Sequence, residues 1–172
     1  MARVTTGNLD LFSVRNSYHG SLGTAMGACG IHHCKHALPE TQHMHHLAAP
    51  IYEDKGKSEE LLRQARLTIE SSTENCMAGF LFEQVQGYGG IHILEKEYVQ
   101  GMAALTKEYG GVVIADEIQS GLGRMGTHYW SYEMSEIEPD IVVVAKGLSN
   151  GHPLSAVVAK KSLFDQYMEK NK

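Results

Sequence analysis

Two short, apolar, β-branched runs, Val112 to Ala115 and Ile141 to Ala145, each lead into an ionisable residue, Asp116 and Lys146. In an open parallel sheet the ligand crevice lies beyond the carboxyl ends of the strands. Two neighbouring strands ending on an acid and an amine therefore deliver both groups to one pocket. A desolvated ammonium has a depressed pKa and yields the neutral amine that condenses with an aldehyde. A pyridoxal cofactor needs such an amine, an acid to keep its ring nitrogen protonated, and apolar or aromatic faces to hold its ring. On pattern alone, plainer readings stay open. A lysine at a strand end often keeps its head in solvent, and Asp-Glu after a strand is often a turn or a cap.

The elements that must position these residues follow from periodicity. Leu11 to Arg15 alternates weakly and reads as a strand running into the polar loop Asn16-Ser17-Tyr18-His19-Gly20. Residues 21 to 57 hold no period of 3.6 or 2 and are expected to be a long irregular excursion. Ser58 before Glu59 and Glu60 reads as a helix cap, with Leu61, Leu62, Ala65 and Ile69 on one face of a helix ending near Ser72. Ala78 to Glu83 is an apolar run ending on an acid, bounded by Gly87-Tyr88-Gly89-Gly90. Glu95 to Tyr109 carries Tyr98, Met102, Leu105 and Tyr109 on a helical stripe and stops at Gly110-Gly111. A strand over Leu154 to Ala159 and a final helix capped by Ser162 complete the chain. Strands alternating with helices predict an α/β fold with a mostly parallel sheet flanked by helices.

Composition narrows the class. The 172 residues are enough for one ordinary domain. Apolar content of 42% and charged content of 20% are those of a globular protein, and no apolar run approaches a membrane span. A net charge of −5 lacks the clustered basic footprint of nucleic-acid binding, so small molecules or other subunits are the expected partners. The three cysteines argue against a disulfide framework and fit a reducing compartment. The segment holding His32, His33, His36, His43, His45 and His46 with Cys29 and Cys34 is rich in metal-ligand types but matches no paired-ligand zinc spacing. A surface or interface loop is the leading reading there, and no metal site is assigned.

The block Val112 to Ala156 resembles the signature of the class III, fold-type I pyridoxal-phosphate aminotransferases. The residues that carry the resemblance are Asp116-Glu117-Ile118-Gln119, Gly121-Leu122-Gly123-Arg124-x-Gly126 and Ala145-Lys146-Gly147. Within that class the chain is most similar to the alanine-glyoxylate aminotransferase 2 group. Ser17-Tyr18-His19-Gly20 and Phe82-Glu83-Gln84-Val85-Gln86-Gly87 extend the similarity, and residues 21 to 57 match poorly. The resemblance implies that residues 1–172 form part of the cofactor-binding large domain and bind pyridoxal 5'-phosphate. Lys146 would form the internal Schiff base and move the proton, and Asp116 would pair with the pyridine nitrogen. Ile118 and Tyr18 would pack on the two ring faces, Gln119 would hydrogen-bond the ring oxygen, and His19 would sit beside the cofactor. Glu83 resembles the acid that gates the substrate pocket, but Gln84 stands where the family usually has Pro, which is expected to loosen the turn that aims Glu83.

The reaction so implied transfers an amino group from an amino acid such as alanine to an oxo acid such as glyoxylate or pyruvate. This chain would carry the aldimine half of the site, while the phosphate-binding loop and the carboxylate-binding arginine are expected outside it. An alternative of another class is an inactive, aminotransferase-like structural or interaction subunit of a larger assembly, because unpaired sheet edges invite association. The resemblance also implies a homo-oligomer or a subunit of a complex, and an intracellular setting, mitochondrial rather than cytoplasmic.

Overall fold

The computed structural model describes residues 1–35 and 42–171. His36 of the histidine-rich segment lies outside the described residues. In chain order the elements are α1 (Ala2–Thr6), β1 (Leu11–Val14), α2 (Gly23–Ala28), β2 (Met44–Leu47), α3 (Ser58–Ser72), β3 (Gly79–Phe82), β4 (Val85–Gln86), β5 (His92–Ile93), α4 (Lys96–Glu108), β6 (Val112–Asp116), β7 (Ile141–Val144), β8 (Ala156–Ala159) and α5 (Lys161–Lys170). A six-stranded sheet runs in the order β2-β1-β3-β6-β7-β8, and β4 and β5 form a separate antiparallel pair. The first five strands are parallel, and β8 closes the edge antiparallel to β7. This is the α/β fold with a mostly parallel sheet that the alternation of elements implies.

Both faces of the central strands are covered, and their residues sort between them with the period of two that a strand imposes. Phe12, Val14, Phe80, Phe82, Val113 and Ala115 join the larger core beneath α3 and α4, with Ile69, Tyr98 and Met102. The alternate positions Leu11, Val112, Ile114 and Ile141 face the opposite way, toward Ala2 and Leu163 on α1 and α5. Phe80 and Phe82, two apart on one strand, stack with ring centroids 5.4 Å apart. Each such fully buried aromatic contributes about 2–3 kcal/mol by leaving water. Tyr98 stays in the core because its hydroxyl donates to the Ala48 carbonyl at 2.7 Å.

Three expectations are corrected. Residues 21–57 are not an unbroken irregular excursion: they supply α2 and the edge strand β2, which pairs with β1 from Leu11↔Met44 to Val14↔Leu47. Met-His-His-Leu hides a strand because its histidines hydrogen-bond sideways instead of alternating with apolar residues. Ser58 does not cap α3. Lys57 precedes the helix, and the Ser58 hydroxyl donates instead to Glu95 Oε2 at 2.6 Å, tying the start of α3 to the start of α4. Ser162 likewise lies inside α5, which Lys160 precedes.

Candidate active site

The carboxyl ends of the parallel strands converge on one edge, as doubly wound sheets require. Register puts Phe82 opposite Ala115 and Asp116 opposite Val143, so Glu83, Asp116 and the residues after Val144 leave neighbouring strands side by side. Asp116 is buried, and both its oxygens are engaged. His19 Nδ1 lies 2.8 Å from Oδ2, and the Ile118 N–H donates to Oδ1 at 3.1 Å. A carboxylate can only accept here, so Nδ1 carries the proton. The His19 side chain is 2% exposed, and its Nε2 is buried with no partner among the described residues.

Glu83 accepts the Tyr18 N–H at 2.7 Å and so grips the loop that carries Tyr18 and His19. Burial pushes its carboxyl up to about 7, outweighing the pull of that N–H in the other direction. Tyr18 is half-buried, with its ring 5.1 Å from that of Tyr88.

A cleft of about 1230 Å³ opens beside this cluster, lined among others by Ile118, Gln119, Gly121, Lys146 and Asn150. The seven residues singled out in the sequence thus fall into two adjoining groups. Tyr18 with Glu83 and His19 with Asp116 form two hydrogen-bonded pairs side by side; Ile118, Gln119 and Lys146 line the cleft. The polypeptide from Asp116 to Ile118 joins them. Gly87 allows the arrangement, because a Cβ there would run into the Gln119 side chain.

Lys146 corrects the expectation of a buried amine: it is exposed on the cleft wall. It starts a short helical turn, Lys146–Ser149, directly after β7, and its backbone is left-handed at φ 45°.

Gln84 is held in its turn by its own side-chain hydrogen bonds. Fully buried, it donates from Nε2 to the Leu94 carbonyl at 2.9 Å and accepts the Ser135 hydroxyl at 2.7 Å.

Glu117, passed over in the sequence, is also buried. It accepts the Ser131 N–H (2.8 Å), the Ser131 hydroxyl (2.6 Å) and the Tyr132 N–H (2.9 Å). Its carboxyl is raised by burial, against those three donors. Strand alternation was the signal that could have found it: next to a site-facing Asp116, it must face the other way.

The histidine-rich segment serves the edge of the sheet. His43 and His45 both contact Asp10 Oδ1, at 3.1 and 2.8 Å. His46 bridges the Ser13 hydroxyl and the Lys35 ammonium, each at 2.8 Å, and burial and that cation lower its pKa to about 4. Among the described residues no three His, Cys, Asp or Glu side chains are grouped to hold a metal.

Comparison with known proteins places the chain by family and by fold. Residues 1–171 match the family profile described as "Aminotransferase class-III". The chain is 38% identical over 163 residues to the mitochondrial alanine–glyoxylate aminotransferase 2 homolog 2 of Arabidopsis thaliana, covering 92% of this chain and 33% of that protein. It is 33% identical over 168 residues to the acetylornithine aminotransferase of Bacillus subtilis, covering 97% of this chain and 40% of that one. The chain thus spans between a third and two fifths of the length of these relatives. Among solved structures, an (S)-enantioselective omega-transaminase from Thermomicrobium roseum superposes with a TM-score of 0.88 at 28% identity, over 99% of this chain and 41% of that one. A taurine:2-oxoglutarate aminotransferase from Bifidobacterium kashiwanohense, solved with PLP and glutamate, gives 0.86 at 27% identity, over 98% and 40%. The family profile spans residues 1–171 and the relatives match over nearly the whole chain, so the chain belongs to the class-III aminotransferase family.

Proposed function

We propose that the chain carries the lysine-bearing half of an aminotransferase active site and takes pyridoxal 5'-phosphate as its cofactor. The observation that carries this reading is the placement of Asp116 and Lys146 at the carboxyl ends of two hydrogen-bonded parallel strands, beside a cleft large enough for a cofactor. The residues present fit such a group. An amine stands on the cleft wall, a carboxylate is fixed by two donors, and the buried His19 Nε2 has no partner among the described residues. The cofactor, when bound, supplies an electron sink for the pair left when a bond at the amino acid's α-carbon breaks.

In this reading Lys146 would hold the cofactor through its Nζ and would move the proton at the substrate's α-carbon. Asp116 would keep a proton on the ring nitrogen, with His19 fixing the direction of its carboxylate. Ile118 and Tyr18 would cover the ring faces, and Gln119 would hydrogen-bond the ring oxygen. Glu83 is the substrate-gating acid. A carboxyl with a pKa of about 7 in a buried setting changes charge readily as a substrate carboxylate arrives or leaves. We infer an amino donor such as alanine and an oxo-acid acceptor such as glyoxylate or pyruvate, and a mitochondrial setting, from the names of the Arabidopsis and human relatives. Titration with pyridoxal 5'-phosphate should produce an absorbance band near the visible edge that borohydride removes and that Lys146→Ala lacks. A protein left colourless at saturating cofactor refutes the reading.

A second reading, an interaction subunit of a larger assembly, is favoured by one observation. The strand β8 at the sheet edge exposes Val157 (60%) and Val158 (57%), and Leu154 and Phe164 nearby are also exposed. A homo-oligomer or another subunit covering that edge would serve either reading. A folded monomer that turns over alanine and glyoxylate rejects the second.

A further inference from the structure

On β3 and β6 the last site-facing residues are Glu83 and Asp116, and the residues that follow them, Gln84 and Glu117, point away from the site. Both of these turn to the same short helical turn, Ser131–Ser135. Its first residue, Ser131, gives its N–H and its hydroxyl to Glu117, at 2.8 and 2.6 Å. Its last, Ser135, gives its hydroxyl to Gln84 Oε1 at 2.7 Å. Both serines are fully buried. The turn is anchored twice more from outside, as Gln100 on α4 donates to the Ser135 carbonyl at 3.0 Å and the Ser120 hydroxyl lies 2.8 Å from that of Ser131.

We propose that Ser131 and Ser135 are positioning residues: the turn they open and close buckles the tips of β3 and β6 together from behind and so sets where the Glu83 and Asp116 carboxylates stand. Past Phe82 the ladder between β3 and β6 has ended, and the Glu83 tip is held from behind at Gln84, whose carbonyl accepts the Leu94 N–H at 3.0 Å and whose side chain reaches Ser135. The spacing of the two acids then depends on the groups that hold the residues behind them. Each strand tip is gripped through a side chain that is itself fully buried, so a shift of the turn passes to the site as displacement rather than being absorbed by solvent. The pairing also explains why a glutamine suits position 84. Its amide presents an acceptor to Ser135 and a donor to Leu94 at once. The role assigned to the two acids rests on the aminotransferase reading; the mechanical claim does not.

The test uses hydrogen exchange of the full chain without cofactor, so it is decided independently of whether pyridoxal 5'-phosphate binds. The amides to follow are Tyr18, which donates to Glu83, and Ile118, which donates to Asp116. In Ser135→Ala the Tyr18 amide should exchange about tenfold faster, the effect of losing one buried hydrogen bond, with the mid-strand amides of β3 unchanged. In Ser131→Ala the Ile118 amide should respond in the same way. Ser131→Ala keeps both N–H bonds to Glu117 and is the milder change, so it decides the matter should Ser135→Ala fail to fold. Unchanged Tyr18 and Ile118 exchange in the folded variants overturns the proposal. So does a rise shared equally by the β3 core, which would mean only that the protein had been destabilised as a whole.

Discussion

Glu83 gives the sharpest pH test of the site. Its carboxyl titrates at about 7 in the folded chain against an ordinary 4.5, with burial as the main cause. The folded protein therefore holds that proton more tightly than the unfolded chain does, by about 3 kcal/mol. For an acid with a raised pKa the sign is fixed. The stability it contributes is complete below pH 4.5, falls away as pH rises through about 7, and is absent above. Glu83→Gln keeps an oxygen to accept the Tyr18 N–H but cannot ionise, so it does not share this loss. Urea unfolding of both proteins at intervals from pH 4 to 8.5 isolates the effect, since titrating groups remote from Glu83 cancel in the difference and only His19 and Asp116 are coupled to it. The stability of Glu83→Gln relative to the unsubstituted chain should climb by about 3 kcal/mol across that range, most steeply between pH 5 and 7. A difference that stays flat across the range refutes the argument that burial of this carboxyl sets its charge.

Other outcomes follow from the same contacts. Gln84→Ala strands the Leu94 carbonyl and the Ser135 hydroxyl in the core and opens a cavity, and should lower the unfolding free energy by about 2–4 kcal/mol in urea. Gly30→Ala would set a Cβ 2.6 Å from the Val14 carbonyl oxygen and 2.7 Å from Asn16 N, so the backbone leading to Tyr18 must move. A loss of about 2 kcal/mol, with lowered cofactor affinity, is expected by thermal melting and absorbance titration. His46 should titrate by NMR near pH 4, its contribution to stability present above 6.5 and lost as pH falls through about 4.

The sheet was legible because strands buried on both faces must be continuously apolar, and Phe80-Leu81-Phe82 and Val112-Val113-Ile114 are. The same clarity delivered Asp116 and Glu83, since a charged residue ending such a run marks the strand's exit. β2 was not legible. Its His45 and His46 satisfy Asp10 and Ser13, more than 30 positions away, and Lys35, 11 positions away, and so leave no alternation to read. The grip of Ser135 on Gln84 spans 51 positions and could not be read from local pattern. Lys146 follows β7 directly, yet it is exposed rather than buried, because the turn that carries it onto the cleft wall begins at the lysine itself.

That turn has a consequence for how the sequence would drift under different selections. At φ 45° a residue with a Cβ costs about 1 kcal/mol relative to glycine, and Gly147, which bears no such burden, stands one position too late to relieve it. A library randomised at position 146 and screened for heat resistance alone should therefore enrich glycine and asparagine. The same library screened for transamination should return lysine despite the stability it forgoes.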